Sequence, residues 1–330
     1  MNNKITIIGL GELGSSFAMA FKEEGDDFDV IGIDLERSTE KNAESGGWVR
    51  RIEHNLFDAT EDADVIILAI PPDQVKKVLE LLGHDLKENA IVLDCCPDKM
   101  AAAGWAAQYM DHPENFIGVW AGISPYHLHE RSCGSRSAAA DMFRKGMLYI
   151  AAGIKTSEAA ILTAAGLADT MKMEHTFVEP AELDGLIAMT YDLPALAAYG
   201  LMDCIARQPG WPDGKRAAGK LFCRMTDPLT EKIDQEETGT SFRCNRESTV
   251  RMLNAYIEEL TAIRDLLDGE DDDSLPALMT DCQKARDKWE EDLLRGNPLT
   301  GNTPVSEMEN TAEIMKQFFF GGLLRRKNGK

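Results

Sequence analysis

Gly9-Leu10-Gly11-Glu12-Leu13-Gly14 is the most informative stretch of this 330-residue sequence. It begins at the end of the apolar run Ile5 to Leu10 and precedes a stretch with helical character, Ser15 to Glu24. In a G-x-G-x-x-G pattern between a strand and a helix, the first glycine allows a tight turn and the second lets a pyrophosphate approach the backbone. The third lets helix and strand pack closely. The pattern therefore predicts a dinucleotide site, with the phosphates at the helix N-terminus.

Asp34 ends the second predicted strand, Asp29 to Asp34, and lies 20 residues after Gly14. A carboxylate at this distance from the glycine pattern accepts hydrogen bonds from the ribose hydroxyl groups of the adenosine half. Because a 2′-phosphate would meet a like charge there, Asp34 favours NAD over NADP as the cofactor. Arg37 lies close by and keeps NADP as an alternative. The other alternative is a glycine-rich turn that binds nothing.

Strand-like and helix-like runs alternate through the first half of the chain. This alternation predicts an α/β fold that begins with a Rossmann domain, a doubly wound parallel sheet with right-handed crossovers. Beyond the first two strands, we expect strands at Val65 to Ile70, Ala90 to Asp94, Phe116 to Val119, Met147 to Ala152 and Met171 to His175. The last two of these are expected to be edge strands.

The texture of the sequence changes after about Glu179, where strand-like runs give way to helical periodicity. We expect helices over Pro180 to Ile205, Arg246 to Leu267 and Leu275 to Leu294. The predicted domains are a dinucleotide-binding domain over residues 1–178 and an all-helical domain over 179–295. A linker and tail helix are expected over 296–330.

Composition limits the possible partners. The formal net charge of −21 makes nucleic acid or an anionic membrane an unfavourable partner, since both are themselves negative. No stretch approaches the roughly 20 apolar residues that cross a bilayer, and the N-terminus has no signal-peptide pattern. The 7 cysteines include no C-x-x-C pair, so no metal site is expected and a reducing cytoplasm fits best.

The carboxyl ends of the strands indicate further cofactor contacts, because ligands of open α/β sheets bind in the crevice outside those ends. Ala69 and Ile70 end one predicted strand, Pro71 follows it, and Asp94 ends the next. We expect these four residues to line the nicotinamide half of the site. For Pro71 the alternative is a turn that simply ends the strand.

From Lys4 to Leu294 the chain resembles the prephenate and arogenate dehydrogenase family. Besides the glycine pattern, the resemblance rests on the following segments in this order and spacing: residues 63–72 (ADVIILAIPP), Ile91 to Asp94 with Lys99, Glu174-His175, Leu193-Pro194, Phe222 to Arg224 before Asp227-Pro228, and Asn245. The resemblance implies a helical C-terminal domain that builds a homodimer. It also implies NAD- or NADP-dependent oxidation of a cyclohexadienyl alcohol in aromatic amino acid biosynthesis.

The departures from this family fall on proton-handling positions. Pro97 stands where the family has a serine, and Val119 or Trp120 stands where it has the histidine that accepts the substrate proton. Ala195 replaces another family histidine, whereas Arg224 matches an arginine that binds the substrate carboxylate. Tryptophan donates an N–H but accepts no proton. The substrate is therefore expected to be a small carboxylated alcohol whose identity the resemblance leaves open.

Two residues are candidates for the missing catalytic groups. His127 lies just past the lost histidine, and its ordinary pKa near 6.5 suits a general base. Lys99, at the mouth of the expected crevice, is a candidate for holding a substrate carboxylate or assisting proton transfer. Arg224, Trp120 and Tyr191 are expected to bind substrate. The alternatives are an exposed histidine without a role, a solvated lysine, a structural ion pair for Arg224 and interdomain packing for Tyr191.

Three functions remain open on these residues. The first is an NAD-dependent dehydrogenase of the type just described. The second is another Rossmann oxidoreductase, such as a 3-hydroxy acid dehydrogenase or an imine reductase. The third is a non-catalytic NAD-binding sensor, which the missing proton acceptors favour and Arg224 disfavours.

Overall fold

The computed structural model describes residues 3–25, 27–130, 134–230 and 235–295. Apolar runs of four to six residues form the central strands because both faces of a parallel sheet are covered and buried. The strands are β1 (Asn3–Ile8), β2 (Phe28–Ile33), β3 (Arg51–Ile52), β4 (Val65–Leu68), β5 (Ile91–Asp94), β6 (Phe116–Ala121), β7 (Met147–Ala151) and β8 (Glu174–Val178).

These strands form one eight-stranded sheet in the order β3-β2-β1-β4-β5-β6-β7-β8. The order reverses between β1 and β4, which is the switch point where doubly wound sheets bind ligands. The predicted fold class is confirmed, with two differences in detail. Strand β7 pairs antiparallel with β6, and the second edge strand begins at Glu174 rather than Met171. The two-residue strand β3 is too short to give a periodic signal.

Helices cover both faces of the sheet. They are α1 (Glu12–Glu23), α2 (Arg37–Ser45), α3 (Leu56–Thr60), α4 (Pro72–Leu82), α5 (Lys99–Tyr109) and α6 (Glu158–Thr170). One core lies under α1 and α6, where Phe17 and Ala164 pack against Ile67. The other lies under α4 and α5, where Leu79 packs with Leu68. Two buried cores on one sheet fix the strand ends that carry the site.

No strand follows β8 among the described residues, and the remaining elements are helical. They are α7 (Pro180–Ile187), α8 (Leu193–Ala206), α9 (Trp211–Gly214), α10 (Lys220–Met225), α11 (Gln235–Cys244), α12 (Arg246–Asp268) and α13 (Ser274–Arg295). The long helices were predicted within a residue or two, whereas α9 to α11 are too short for periodicity to reveal. The predicted tail over 296–330 lies outside the described residues. No described helix is long and apolar enough to cross a membrane.

A single π-helical turn, Ala188–Asp192, joins α7 to α8. Residues 180–206 therefore run as one long helix with one extra residue inserted in its middle. Insertions of this kind are frequent at functional sites because they re-aim side chains without ending the helix. Here the turn carries Tyr191, which contacts Trp120 of the Rossmann domain, and Asp192, which contacts residues of the helical part.

Candidate cofactor and substrate site

The glycine-rich turn between β1 and α1 is shaped by contacts that only glycine permits. Gly9 has φ +93°, and a Cβ there would lie 2.3 Å from the carbonyl oxygen of Ala69. A Cβ on Gly14 would lie 1.9 Å from the carbonyl oxygen of Gly9. By contrast, no atom lies within 4 Å of the position of a Cβ on Gly11. The first and third glycines thus serve packing, and the second leaves the backbone open, as a phosphate site requires.

Asp34 ties the end of β2 to this turn. Its two carboxylate oxygens accept hydrogen bonds from the N–H groups of Leu10 and Glu36, each at 2.7 Å. Burial raises the pKa of Asp34, although these two backbone hydrogen bonds oppose the shift. Each oxygen retains a second lone pair, so the residue can still accept ribose hydroxyl groups. The arrangement fits the adenosine half of a dinucleotide.

The other predicted cofactor residues lie around the same turn. Ile70 is half-buried, and its Cγ2 would lie 2.7 Å from a Cβ on Gly9. Pro71 is exposed at the start of α4. Leu13 packs partly buried against the core, and Glu12 begins α1. The structure therefore brings the residues after β4 together with the glycine turn, as the topology predicted.

Lys99 and Asp94 form a fully buried ion pair. The Lys99 ammonium donates to the Asp94 carboxylate at 3.0 Å and to its backbone carbonyl at 2.8 Å. Burial alone would lower the pKa of Lys99, but the Asp94 carboxylate outweighs it and the pKa is raised. Gly118 makes room for the lysine, since a Cβ there would lie 2.7 Å from the Lys99 Cδ. The expectation of a lysine at the mouth of the crevice was therefore wrong, because Lys99 has turned inward to neutralise a buried carboxylate.

Helix α7 caps helix α5 across the junction of the two domains. The carboxylate of Asp184 accepts hydrogen bonds from the backbone N–H groups of Lys99 at 2.7 Å and Met100 at 3.1 Å. These N–H groups belong to the first turn of α5, which has no intrahelical acceptor for them. Asp98, the local N-cap residue, does not bond to them. The helical part is thus anchored directly to the turn that follows β5.

Two further buried acids lie at this junction. Asp192 accepts hydrogen bonds from Thr249 at 2.7 Å and Asn245 at 3.2 Å, and Asp98 accepts one from Ser241 at 3.1 Å. Burial raises the pKa of Asp192 and raises that of Asp98 to about 8, with neighbouring carboxylates adding to the second shift. Sequence reasoning missed this cluster. Its partners lie more than 50 residues apart, and isolated aspartates usually indicate a solvated surface.

Trp120 and Tyr191, both expected to bind substrate, are in contact. Their ring centroids lie 5.6 Å apart in an edge-to-face arrangement. Trp120 is the next-to-last residue of β6 and packs against the small core that contains Leu183 and Ile187. Tyr191 stays about half exposed. The pair forms an aromatic wall where the sheet meets the π-helical turn.

The two remaining candidates lie on other segments of the chain. His127, in the loop after β6, places Nδ1 3.0 Å from Glu130 and Nε2 3.1 Å from Asp141. Burial would lower its pKa, but these two hydrogen bonds outweigh burial and the pKa is raised. Arg224 is exposed on α10, and no hydrogen bond or ion pair to another described residue holds it.

In the part of the chain that the structure describes, no group of three His, Cys, Asp or Glu residues is arranged to hold a metal ion. The fold and the glycine turn define a dinucleotide-binding α/β protein.

Comparison with known proteins narrows this class. Residues 17–120 match the family described as prephenate dehydrogenase, nucleotide-binding domain. The Bacillus subtilis prephenate dehydrogenase is 22% identical over 83% of this chain and 73% of its own length. The Zymomonas mobilis cyclohexadienyl dehydrogenase is 23% identical over 86% and 94%. The A. aeolicus prephenate dehydrogenase, solved with hydroxyphenyl propionate and NAD+, is 18% identical. It has a TM-score of 0.75 and covers 87% of this chain and 98% of that one.

Over most of its length the chain is thus similar to prephenate and cyclohexadienyl dehydrogenases, and residues 17–120 match the nucleotide-binding domain of the prephenate dehydrogenase family. The predicted resemblance to NAD-dependent oxidoreductases of this family is thereby confirmed. The individual catalytic and substrate residues stay predictions.

Proposed function

We propose that the chain is an NAD-dependent dehydrogenase that transfers a hydride between a small carboxylated alcohol and nicotinamide. The observation that carries this proposal is the turn at Gly9, packed on Ala69, with open space at Gly11 and Asp34 beside it. Bound NAD would supply the hydride acceptor. The N-terminus of α1 would bind the pyrophosphate, and Asp34 would bind the ribose.

The nicotinamide half is assigned to the ends of β4 and β5. In this proposal Ala69, Ile70 and Pro71 line one side. The fixed turn after Asp94 lies on the other. Because Asp94 is buried on Lys99, its carboxylate shapes this turn rather than touching the ring. The Asp184 cap holds the same turn from the helical side.

The substrate is assigned to the space between the two domains. Trp120 and Tyr191 supply an aromatic wall suited to a ring-bearing substrate. Arg224, exposed and without an ion pair to the described residues, supplies the carboxylate anchor, since a guanidinium binds a carboxylate through two parallel hydrogen bonds. The relatives named prephenate and cyclohexadienyl dehydrogenase favour a cyclohexadienyl carboxylate.

Oxidation of an alcohol requires an acceptor for the hydroxyl proton, and His127 is the residue proposed for this role. Only its neutral form accepts a proton. Glu130 orients the ring through Nδ1, and Nε2 would exchange Asp141 for the substrate hydroxyl. The raised pKa makes this imidazole a stronger base that is neutral only at higher pH.

A homodimer built on the helical domain is part of the proposal. Helix α12 exposes a stripe of apolar side chains at Val250, Ile257, Leu260 and Leu267, each close to half exposed or more. Water-exposed stripes of this kind mark contact surfaces. A second copy of the chain is the proposed occupant, and the cytoplasm is the proposed location.

The second candidate function, an NAD-binding sensor, is favoured by Pro97, Trp120 and Ala195 at the positions where the family has proton-handling groups.

The test is NADH formation by the purified chain with NAD and a panel of carboxylated alcohols that includes prephenate and arogenate. We expect at least one substrate to be oxidised, with Arg224→Ala raising KM at least tenfold and leaving NAD affinity unchanged. Lys215→Ala, another exposed cation of the helical domain, is the matched control. An unchanged KM in Arg224→Ala removes the anchor. NAD binding without turnover on the whole panel favours the sensor.

A further inference from the structure

A cavity of about 430 Å³ lies at the edge of the sheet opposite the crevice. It forms where the end of α1, the amino end of β2 and the turn before β3 meet. Helix α1 has 12 residues, so about 18 Å separates this cavity from the glycine turn at the other end of the helix. A ligand here would not overlap the dinucleotide site.

The walls of the cavity combine apolar side chains with polar groups. Phe21 and Phe28 pack with ring centroids 5.0 Å apart, and the Trp48 indole lines the same space. Val30 and Val49 contribute further apolar surface. The volume lies within the roughly 300–1,000 Å³ range of small-molecule sites, which are mostly apolar with a few placed polar groups. This cavity is therefore suited to a small molecule with a flat apolar body.

Two hydrogen-bond donors among the lining residues have no acceptor in the described part of the chain. They are the ammonium of Lys22 and the indole N–H of Trp48. Two acids near the end of α1 are paired elsewhere: Glu23 lies 3.9 Å from Arg144, and Glu24 lies 3.4 Å from Lys172. Arg50, at the rim, pairs with Asp29 at 3.2 Å. A positive charge thus stays available on a protein whose net charge is strongly negative.

The Gly46-Gly47 turn makes this arrangement possible. A Cβ on Gly46 would lie 2.2 Å from the Trp48 Nε1, and one on Gly47 would lie 3.0 Å from the Lys22 Nζ. Gly47 also has φ +60°, which other residues rarely adopt. The two glycines let the indole and the ammonium lie against the same turn.

We propose that this cavity binds a small carboxylate with a flat apolar body, its ring among Phe21, Phe28 and Trp48 and its carboxylate on Lys22. The ligand is distinct from the cofactor and its substrate, because this cavity lies at the far end of α1 from the glycine turn. The proposal does not depend on dehydrogenase activity.

Calorimetric titration with phenylacetate tests the proposal directly. We expect phenylacetate to bind and to quench tryptophan fluorescence, whereas acetate and the uncharged phenylacetamide bind at least tenfold more weakly. Lys22→Met keeps the apolar stem and removes the charge, so it is expected to raise the Kd about tenfold or more. Lys155→Met, another exposed lysine of the Rossmann domain, is the matched control and should leave the Kd unchanged.

A second variant distinguishes phenylacetate binding in this cavity from binding in the substrate crevice. Arg224→Ala, which alters the proposed substrate anchor, should leave phenylacetate binding intact. The proposal is overturned if phenylacetate does not bind, if Lys22→Met binds it as tightly as the unaltered chain, or if Arg224→Ala abolishes binding.

Discussion

The carboxylate of Asp184 accepts the backbone N–H of Lys99 at 2.7 Å, so that a residue of α7 caps helix α5 of the other domain. The same lysine turns its ammonium back into the Rossmann core to meet Asp94. The turn after β5 is thereby held from the helical side through its backbone and from the sheet side through a side chain. This turn borders the proposed nicotinamide site. Its position therefore determines how the bound nicotinamide lies relative to a substrate held between the two domains.

Replacing Asp184 with alanine should loosen this junction. The change leaves two N–H groups of the α5 first turn without a charged acceptor, which costs about 1–2 kcal/mol of stability for a lost cap. Urea unfolding monitored by circular dichroism measures the loss. Glu182→Ala, an exposed acid in the first turn of α7, is the control. Equal stability of the two variants would show that the cap contributes nothing.

Asp98 should make the folded chain less stable as the pH rises. Its pKa is about 8 in the folded protein, against 3.8 without the surrounding burial. Between these values the unfolded chain has released a proton that the folded chain still holds, so each increase in pH favours unfolding. This destabilisation begins near pH 4 and is complete above about pH 8. The charged groups that act on Asp98 are Asp184, Asp192 and Lys99.

Asp98→Asn removes that titration and retains an oxygen that can accept from Ser241. Between pH 5 and pH 8 the urea midpoint of the variant should therefore fall less than that of the unaltered chain. The difference corresponds to the contribution of Asp98 titration to the free energy of unfolding. Asp85→Asn, which removes an exposed charge of the same sign, controls for net charge. Parallel pH profiles for Asp98→Asn and the unaltered chain would contradict the assignment.

His127→Asn should lower kcat/KM for alcohol oxidation by about 10²–10⁴-fold, the usual contribution of a positioned base. In the unaltered chain the rate should rise with pH through a pKa above 6.5, because Glu130 and Asp141 stabilise the protonated ring that cannot act. His129→Asn is the control, since that exposed ring pairs only with Glu290 on α13 among the described residues. Retention of activity in His127→Asn would assign the proton to another group.

Leu260→Glu should dissociate the proposed homodimer. A charge in the middle of the α12 stripe must be buried without a partner when two copies associate, which is strongly unfavourable. Sedimentation velocity gives the mass of the species in solution. Ile154→Glu, at a fully exposed apolar residue of the Rossmann domain, should leave the mass unchanged. If the unaltered chain sediments as a monomer at micromolar concentration, the proposed dimer is contradicted.

The sequence predicted those features that depend on local pattern. The glycine turn, the position of Asp34 beside it and the parallel, doubly wound sheet follow from neighbouring residues and from the alternation of strands and helices. The junction could not be predicted this way, because Asp98 meets Ser241 and Asp192 meets Thr249 only after the helical domain folds back. Lys99 was misplaced for a related reason. A lysine at the start of a helix usually extends into solvent. Here its side chain points inward to Asp94, in the space that the absence of a side chain at Gly118 leaves.

The account rests most heavily on NAD binding at the glycine turn with Asp34 on the ribose. Calorimetric titration of the unaltered chain and of Asp34→Ala with NAD and with NADP tests it most directly. We expect the unaltered chain to bind NAD at least tenfold more tightly than NADP, and Asp34→Ala to lose most of that preference. No binding of NAD, or equal binding of the two cofactors by the unaltered chain, would contradict the account.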